Sequence, residues 1–178
     1  APLLVPIPNY YNNSNIIKEL LNKKNNGEIF RILDYDGRSQ SNLWARYHIE
    51  DVLGYHPAKL KSYKDMIESD KGLSLYMLRM LNVKYVIKGD KIDSTDLKES
   101  EDRAFFVKSV KINNKEGFDK YYDNYMPSDI SYVTPRVAEN HYPIGDYSLT
   151  EYDTIKSIDN SNPNELIVKV ETSGPQFL

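Results

Sequence analysis

Hydrophobic positions along this chain recur in short blocks whose spacing switches between helical and alternating, and the switches locate its elements. Ile16, Ile17, Leu20 and Leu21 follow helical spacing behind Asn and Ser residues suited to capping, and Asn25-Asn-Gly27 supplies a stop. A short amphipathic helix is expected there. Glu28-Ile-Phe-Arg-Ile-Leu33 reads as a buried strand, closed by the turn formers Asp34-Tyr-Asp-Gly37.

Leu43 to Leu53 reads as a broken helix or loop, set off by a Gly54-Tyr-His-Pro57 corner. Pro57 suits the first position of a helix running to about Asp70, with Leu60, Tyr63, Met66 and Ile67 inward. Leu73 to Leu81 predicts a further helix and Val83 to Ile87 a strand directly after it, which implies a tight junction at Asn82. The polar run Lys88 to Asp102 is expected to be a surface loop. Arg103 to Ile112 alternates as a strand whose Phe and Val residues belong to the core.

Phe118 to Tyr125 suggests a helix, and strand patterns dominate from Ile130 onward: Ser131 to Val133, Tyr147 to Ile158 and Leu166 to Val170. The last two flank Asp159-Asn-Ser-Asn-Pro-Asn164, a turn-rich run that predicts an antiparallel hairpin. The pattern as a whole predicts an α+β fold, with helices packed on a mixed β-sheet that takes strands from near Ile29, Val83 and Phe105, and an antiparallel C-terminal part.

Composition narrows the class. At 178 residues, with 40% hydrophobic and 28% charged positions, the chain can bury a core and fold as a single domain, residues 1–178, with 1–14 as a lead segment. The net charge is −3 with Lys and Arg dispersed, so the basic stripe of a nucleic-acid binder is missing and no nucleic-acid partner is expected. With no cysteine, disulfides and thiolate metal sites are excluded. No run approaches the roughly 18 apolar residues of a membrane span. The opening Ala1-Pro-Leu-Leu-Val-Pro-Ile-Pro8 is too short and proline-rich for a signal peptide. Both ends read as cuts, so the chain is expected to be a fragment of a larger protein with its C-terminal sheet cut short.

Asp34-Tyr-Asp36 after an apolar strand has the form of the paired carboxylates with which nucleotide-sugar glycosyltransferases hold a divalent ion. A strand-ending turn satisfies the same three residues, and the 33 residues ahead cannot supply a nucleotide-binding half, so the turn reading is preferred. The EF-hand spacing is missing too, and His48, His56 and His141 show no ligand spacing. No Gly-x-Ser-x-Gly elbow or phosphate-cradling loop occurs. Tyr121, Tyr122, Tyr125 and Tyr132 form a candidate carbohydrate face, against which stands ordinary half-buried packing of strand and helix tyrosines. No residue is assigned as catalytic, cofactor-binding or metal-ligating, and no cofactor is expected.

The order of landmarks carries more than any single motif. Phe30-Arg-Ile-Leu33, Gly54-Tyr-His-Pro57 with Tyr63 behind it, Leu78-Arg-Met-Leu-Asn-Val-Lys-Tyr-Val-Ile87, Arg103-Ala-Phe-Phe-Val107 and Asn164-Glu-Leu-Ile-Val-Lys-Val170 follow one another along the chain. That succession resembles the C-terminal extracytoplasmic region of the YfhO family, bacterial multi-pass membrane proteins similar to GT-C glycosyltransferases. The resemblance spans about Glu28 to Val170 and lacks the Tyr-Pro-Gly-Trp segment with which the family continues. It implies a position on the extracytoplasmic face of a bacterial membrane and a role in cell-envelope glycosylation. The implied partners are the transmembrane region of the parent chain and a glycan or lipid-linked sugar. GT-C catalytic carboxylates lie between early transmembrane helices, so the resemblance implies a non-catalytic domain that contributes to glycan or partner binding or to assembly. Two alternatives stand beside it: a free-standing secreted carbohydrate-binding module, and a metal-dependent glycosyltransferase using Asp34 and Asp36.

Overall fold

Ile16, Ile17 and Leu20 share one helix face because positions three and four apart lie above one another, and all three are buried in α1, Asn15–Asn25. Ser14 stands at its N-cap, without a side-chain capping bond. The other end is better specified. Gly27 adopts φ +86°, its N–H donates to the Lys24 carbonyl at 2.9 Å, and the Glu28 N–H donates to the Lys23 carbonyl at 3.2 Å. This Schellman end requires the left-handed conformation that glycine enters at no steric cost.

The structure, a computed structural model, describes residues 14–36, 42–54, 60–68, 73–97, 100–112, 129–133, 144–162 and 165–178. The expected lead segment, the Pro57 helix start, the helix from Phe118 to Tyr125, His56 and His141 lie outside the described residues. The chain divides into two compact units, one of residues 1–56 and 83–95, the other of residues 57–82 and 96–178.

The first unit is built on a four-stranded mixed sheet, in the order β2 (Glu50–Asp51), β1 (Arg31–Asp34), β3 (Val83–Lys88), β4 (Lys91–Asp93). β1 runs parallel to both neighbours, with Ile32 opposite Tyr85 and Asp34 opposite Ile87, while β3 and β4 are antiparallel. A central strand covered on both faces needs contiguous apolar residues, and Ile32, Leu33 and Asp34 are all buried. Helix α1 and the single turn α2 (Leu43–Arg46) close one core with this sheet, in which Leu20, Ile32, Trp44 and Ile87 are almost wholly excluded from solvent. Burying one such aliphatic side chain contributes about 1.5–3 kcal/mol.

The second unit holds α3 (Lys61–Glu68), α4 (Leu75–Met80) and two further sheets. Met66, Tyr76 and Met77 form a core against which Tyr63, Ile67 and Tyr132 pack. β5 (Ser109–Ile112) lies between β6 (Ser131–Val133), parallel to it, and β7 (Gly145–Asp146), antiparallel. β8 (Thr154–Asp159) and β9 (Ile167–Glu171) make the expected antiparallel hairpin, with Ile155 opposite Val170 and Asp159 opposite Ile167.

The α+β class, the mixed sheets and the antiparallel C-terminal hairpin therefore agree with the sequence reading. Several details do not. Strands near Ile29 and Val83 do share a sheet, but Phe105 joins neither. Phe106 and Val107 are both buried, as are Ser109 and Val110, which breaks strand alternation. Only Ser109–Ile112 is strand, in a separate sheet. Lys88 to Asp102 is not simply a loop: Gly89 (φ +60°) and Asp90 turn the chain into β4, and a 3-10 turn at Thr95–Leu97 buries Leu97. The strand expected from Tyr147 starts only at Thr154, because Thr150 and Asp153 form a turn first. Leu60 is 76% exposed instead of inward, since α3 begins one residue after it.

Candidate functional site

Helix α4 presents Tyr76 and Met80 to the strands of its own unit, and there a groove of about 410 Å³ opens. That is within the size range of small-molecule sites, about 300–1,000 Å³. Ser74 starts the helix by accepting the Met77 N–H at 3.4 Å, and the Tyr76 hydroxyl donates to the Ile130 carbonyl at 3.4 Å, fixing the ring beside β6. Across from it, the Val107 N–H donates to the Phe177 carbonyl at 2.9 Å, joining the segment after Arg103 to the residues beyond β9. Phe177 in turn meets Tyr147, ring centroids 6.3 Å apart and tilted by 46°.

Four aromatic rings line the groove, those of Tyr76, Phe105, Tyr132 and Phe177, with Leu166 and Val168 along one side. Arg103 and Ser131 contribute the polar and charged groups. Such a surface suits the C–H face of a sugar ring, with a guanidinium and hydroxyls to orient it. Among the described residues, no side-chain carboxylate, imidazole or thiol lines it.

No family model, curated protein or solved structure matches this chain. The site therefore rests on its own geometry. No helix among the described residues is long and apolar enough to cross a membrane, and no group of three or more His, Asp or Glu residues among them could hold a metal ion.

Asp34 and Asp36 sit at the end of β1 in the first unit. The Asp34 side chain is 1% exposed; one oxygen accepts the Trp44 indole N–H at 2.7 Å and the other accepts the Asp36 backbone N–H at 3.0 Å. Asp36 accepts the Gly89 N–H at 2.6 Å. The two carboxylates thus tie the strand end to α2 and to the β3–β4 turn. His48 is exposed with φ +53°, its carbonyl accepting from Lys24.

Of the tyrosines singled out as a carbohydrate face, Tyr132 lies in the groove; Tyr121, Tyr122 and Tyr125 lie outside the described residues. Sequence reasoning missed Tyr76, Met80 and Phe177. The available signal was the unbroken apolar run Leu75-Tyr-Met-Leu78, of which Tyr76, Met77 and Leu78 are all buried while Leu75 is 41% exposed. Three successive inward residues exceed one helix face, so the segment has neighbours on more than one side.

Away from the groove, Tyr85 has a strongly altered ionisation. The Tyr85 hydroxyl, in the first unit, donates to Glu28 at 2.6 Å, its ring takes Phe30 edge-on at 5.1 Å, and the Lys23 ammonium lies 4.8 Å from its centroid. Burial, then the Glu28 hydrogen bond and charge, raises its pKa well above the ordinary phenol value. It is a packing and hydrogen-bonding group at any physiological pH.

Proposed function

We propose that this chain is a non-catalytic extracytoplasmic domain of a multi-pass membrane protein of the YfhO type, and that it binds part of a glycan or lipid-linked sugar in the groove between α4, β6 and β9. The observation that carries the binding part is the groove itself: four aromatic rings and an arginine around a volume of about 410 Å³, with no side-chain carboxylate or imidazole among the described lining residues. The order of landmarks from Phe30 to Val170 supports the family and the envelope setting. In this reading the domain positions a substrate for chemistry performed by the membrane-embedded part of the parent chain.

Titration with cell-envelope oligosaccharides and their lipid-linked forms, followed by ring resonances of selectively labelled Tyr and Phe, tests the binding. Saturable shifts at Tyr76 and Tyr132 are expected. They should be lost in Tyr132→Ala, with resonances away from the groove unchanged to show that the chain stays folded when this half-buried ring is removed. Absence of saturable shifts with every envelope glycan tried would sink the glycan reading.

A second reading, a secreted carbohydrate-binding module, draws on the same groove. Counting apolar spans of about 18 residues or more in the surrounding reading frame separates the two. Many spans support a membrane parent; a short secreted frame supports the module.

A further inference from the structure

The hairpin of β8 and β9 has an edge problem that its two strands treat differently. Among the described residues no third strand pairs with it. β8 carries a bulge, because Ile155 opposes Val170 and Ser157 opposes Lys169, which leaves Lys156 as an extra residue. Bulges and lysines blunt an edge against pairing. β9 runs without a bulge, with Ile167 43% and Val170 44% exposed and Lys169 and Glu171 also facing solvent.

We propose that β9 pairs antiparallel with β9 of a second copy of this chain, about a two-fold axis through Val170. In such a pair the axis stands perpendicular to the sheet, and opposed residues must point to the same face. The axis therefore passes through one residue facing its own copy, and charge decides which. Centring on Lys169 sets two ammoniums against each other. Centring on Glu171 opposes two carboxylates, and centring on Val168 sets Glu171 against Glu165 of the copy. Centring on Ile167 would set Lys169 against Glu165, which lies outside β9, so Val170 is the centre that places attractive pairs within the strand itself: Lys169 opposite the copy's Glu171, twice by symmetry.

The faces then sort themselves. Ile155 already stands beside Val170, so one face of the joined sheet carries an apolar row, Ile155–Val170–Val170–Ile155. On the other, Glu171 already pairs with Lys156 at 2.5 Å and gains the copy's Lys169 on its second side. A two-stranded hairpin is marginal by itself, whereas four strands with an apolar row are not.

Sedimentation equilibrium of the 178-residue chain from about 10 μM to 1 mM should show a reversible dimer, in keeping with an interface at the small end of the range. Lys169→Glu, which turns both attractive pairs repulsive, should weaken it about tenfold. The exchange Lys169→Glu with Glu171→Lys should restore it to within a few-fold. The chain has no cysteine, so Val170→Cys gives a clean cross-linking probe. Opposed Cα atoms lie about 4.5–5.5 Å apart in such a ladder, inside the disulfide range. Val170→Cys should link to its copy under mild oxidation, while Val168→Cys, displaced from the axis, should not. A monomer throughout that range overturns the proposal. So does a dimer indifferent to Lys169→Glu, or cross-linking equally fast at both cysteine positions.

Discussion

A buried carboxylate needs partners for both oxygens, because its desolvation is otherwise uncompensated. Asp34 has them in the Trp44 indole and the Asp36 amide. Trp44→Phe keeps most of the ring volume but removes the indole donor, so it should cost about 1–3 kcal/mol. Urea denaturation followed by circular dichroism checks this, and a variant as stable as the parent would refute the account. Asp153 illustrates the opposite environment, a carboxylate at the surface held by geometry. It accepts the Thr150 N–H at 2.7 Å and the Ser173 N–H at 2.8 Å, together with both hydroxyls. These bonds, the Thr150 amide first, lower its pKa to about 2. Because the folded value lies below the ordinary carboxylate range, the staple contributes fully above pH 4 or so and is lost as pH falls toward 2. The Thr150 and Ser173 amide resonances should titrate with a midpoint near that value. A midpoint at the ordinary Asp value would show that the bonds do not hold in solution.

At the scale of elements, the junction between α4 and β3 turns on Asn82. It adopts φ +59°, it is 2% exposed, and its side-chain amide donates to the Glu101 carbonyl at 2.8 Å. Asn tolerates the left-handed conformation better than branched residues do. Asn82→Val should therefore destabilise the chain by about 2–4 kcal/mol, from backbone strain and the lost hydrogen bond together; Asn82→Gly, which removes only the bond, should cost less. Thermal melts of the two variants should keep that order. The position of this junction was legible because the helical run ends and the alternating run begins at adjacent residues. The β3–β4 hairpin was not read, although Gly89-Asp90 between Val86-Ile-Lys88 and Lys91-Ile-Asp93 is a two-residue turn signal. Charged residues at the turn hid a strand only three residues long. The groove was less legible still. Tyr76, Phe105, Tyr132 and Phe177 are separated by up to about a hundred residues, and no local period joins them. Asp34 and Asp36, close in sequence and suggestive as a pair, turn out to be a structural corner.

At the scale of the whole molecule, the two units are interleaved along the chain. The sheet of the first needs β3, which follows α4 of the second by a two-residue turn. The reading of one folding domain then predicts a single cooperative transition. Trp44, the one tryptophan, reports the first unit alone, whereas far-ultraviolet dichroism reports both. The two unfolding curves should coincide; separate midpoints would mean that the units fold independently. Leu20→Ala, in the first unit's core, should cost about 2–5 kcal/mol and move both curves together.

The same interleaving sets a timetable for biosynthesis. β1 lies between β2 and β3, yet β3 enters the growing polypeptide only after thirty-odd further residues have been added beyond β2. At ordinary elongation rates that is an interval of roughly two to six seconds. Throughout it, one side of a strand carrying Ile32 and Leu33 waits for hydrogen-bonding partners not yet made. A nascent chain arrested with Asn82 only just clear of the ribosome would hold that vulnerable state indefinitely and should recruit holdase chaperones, whereas one arrested late enough for Asp93 to have emerged should release them.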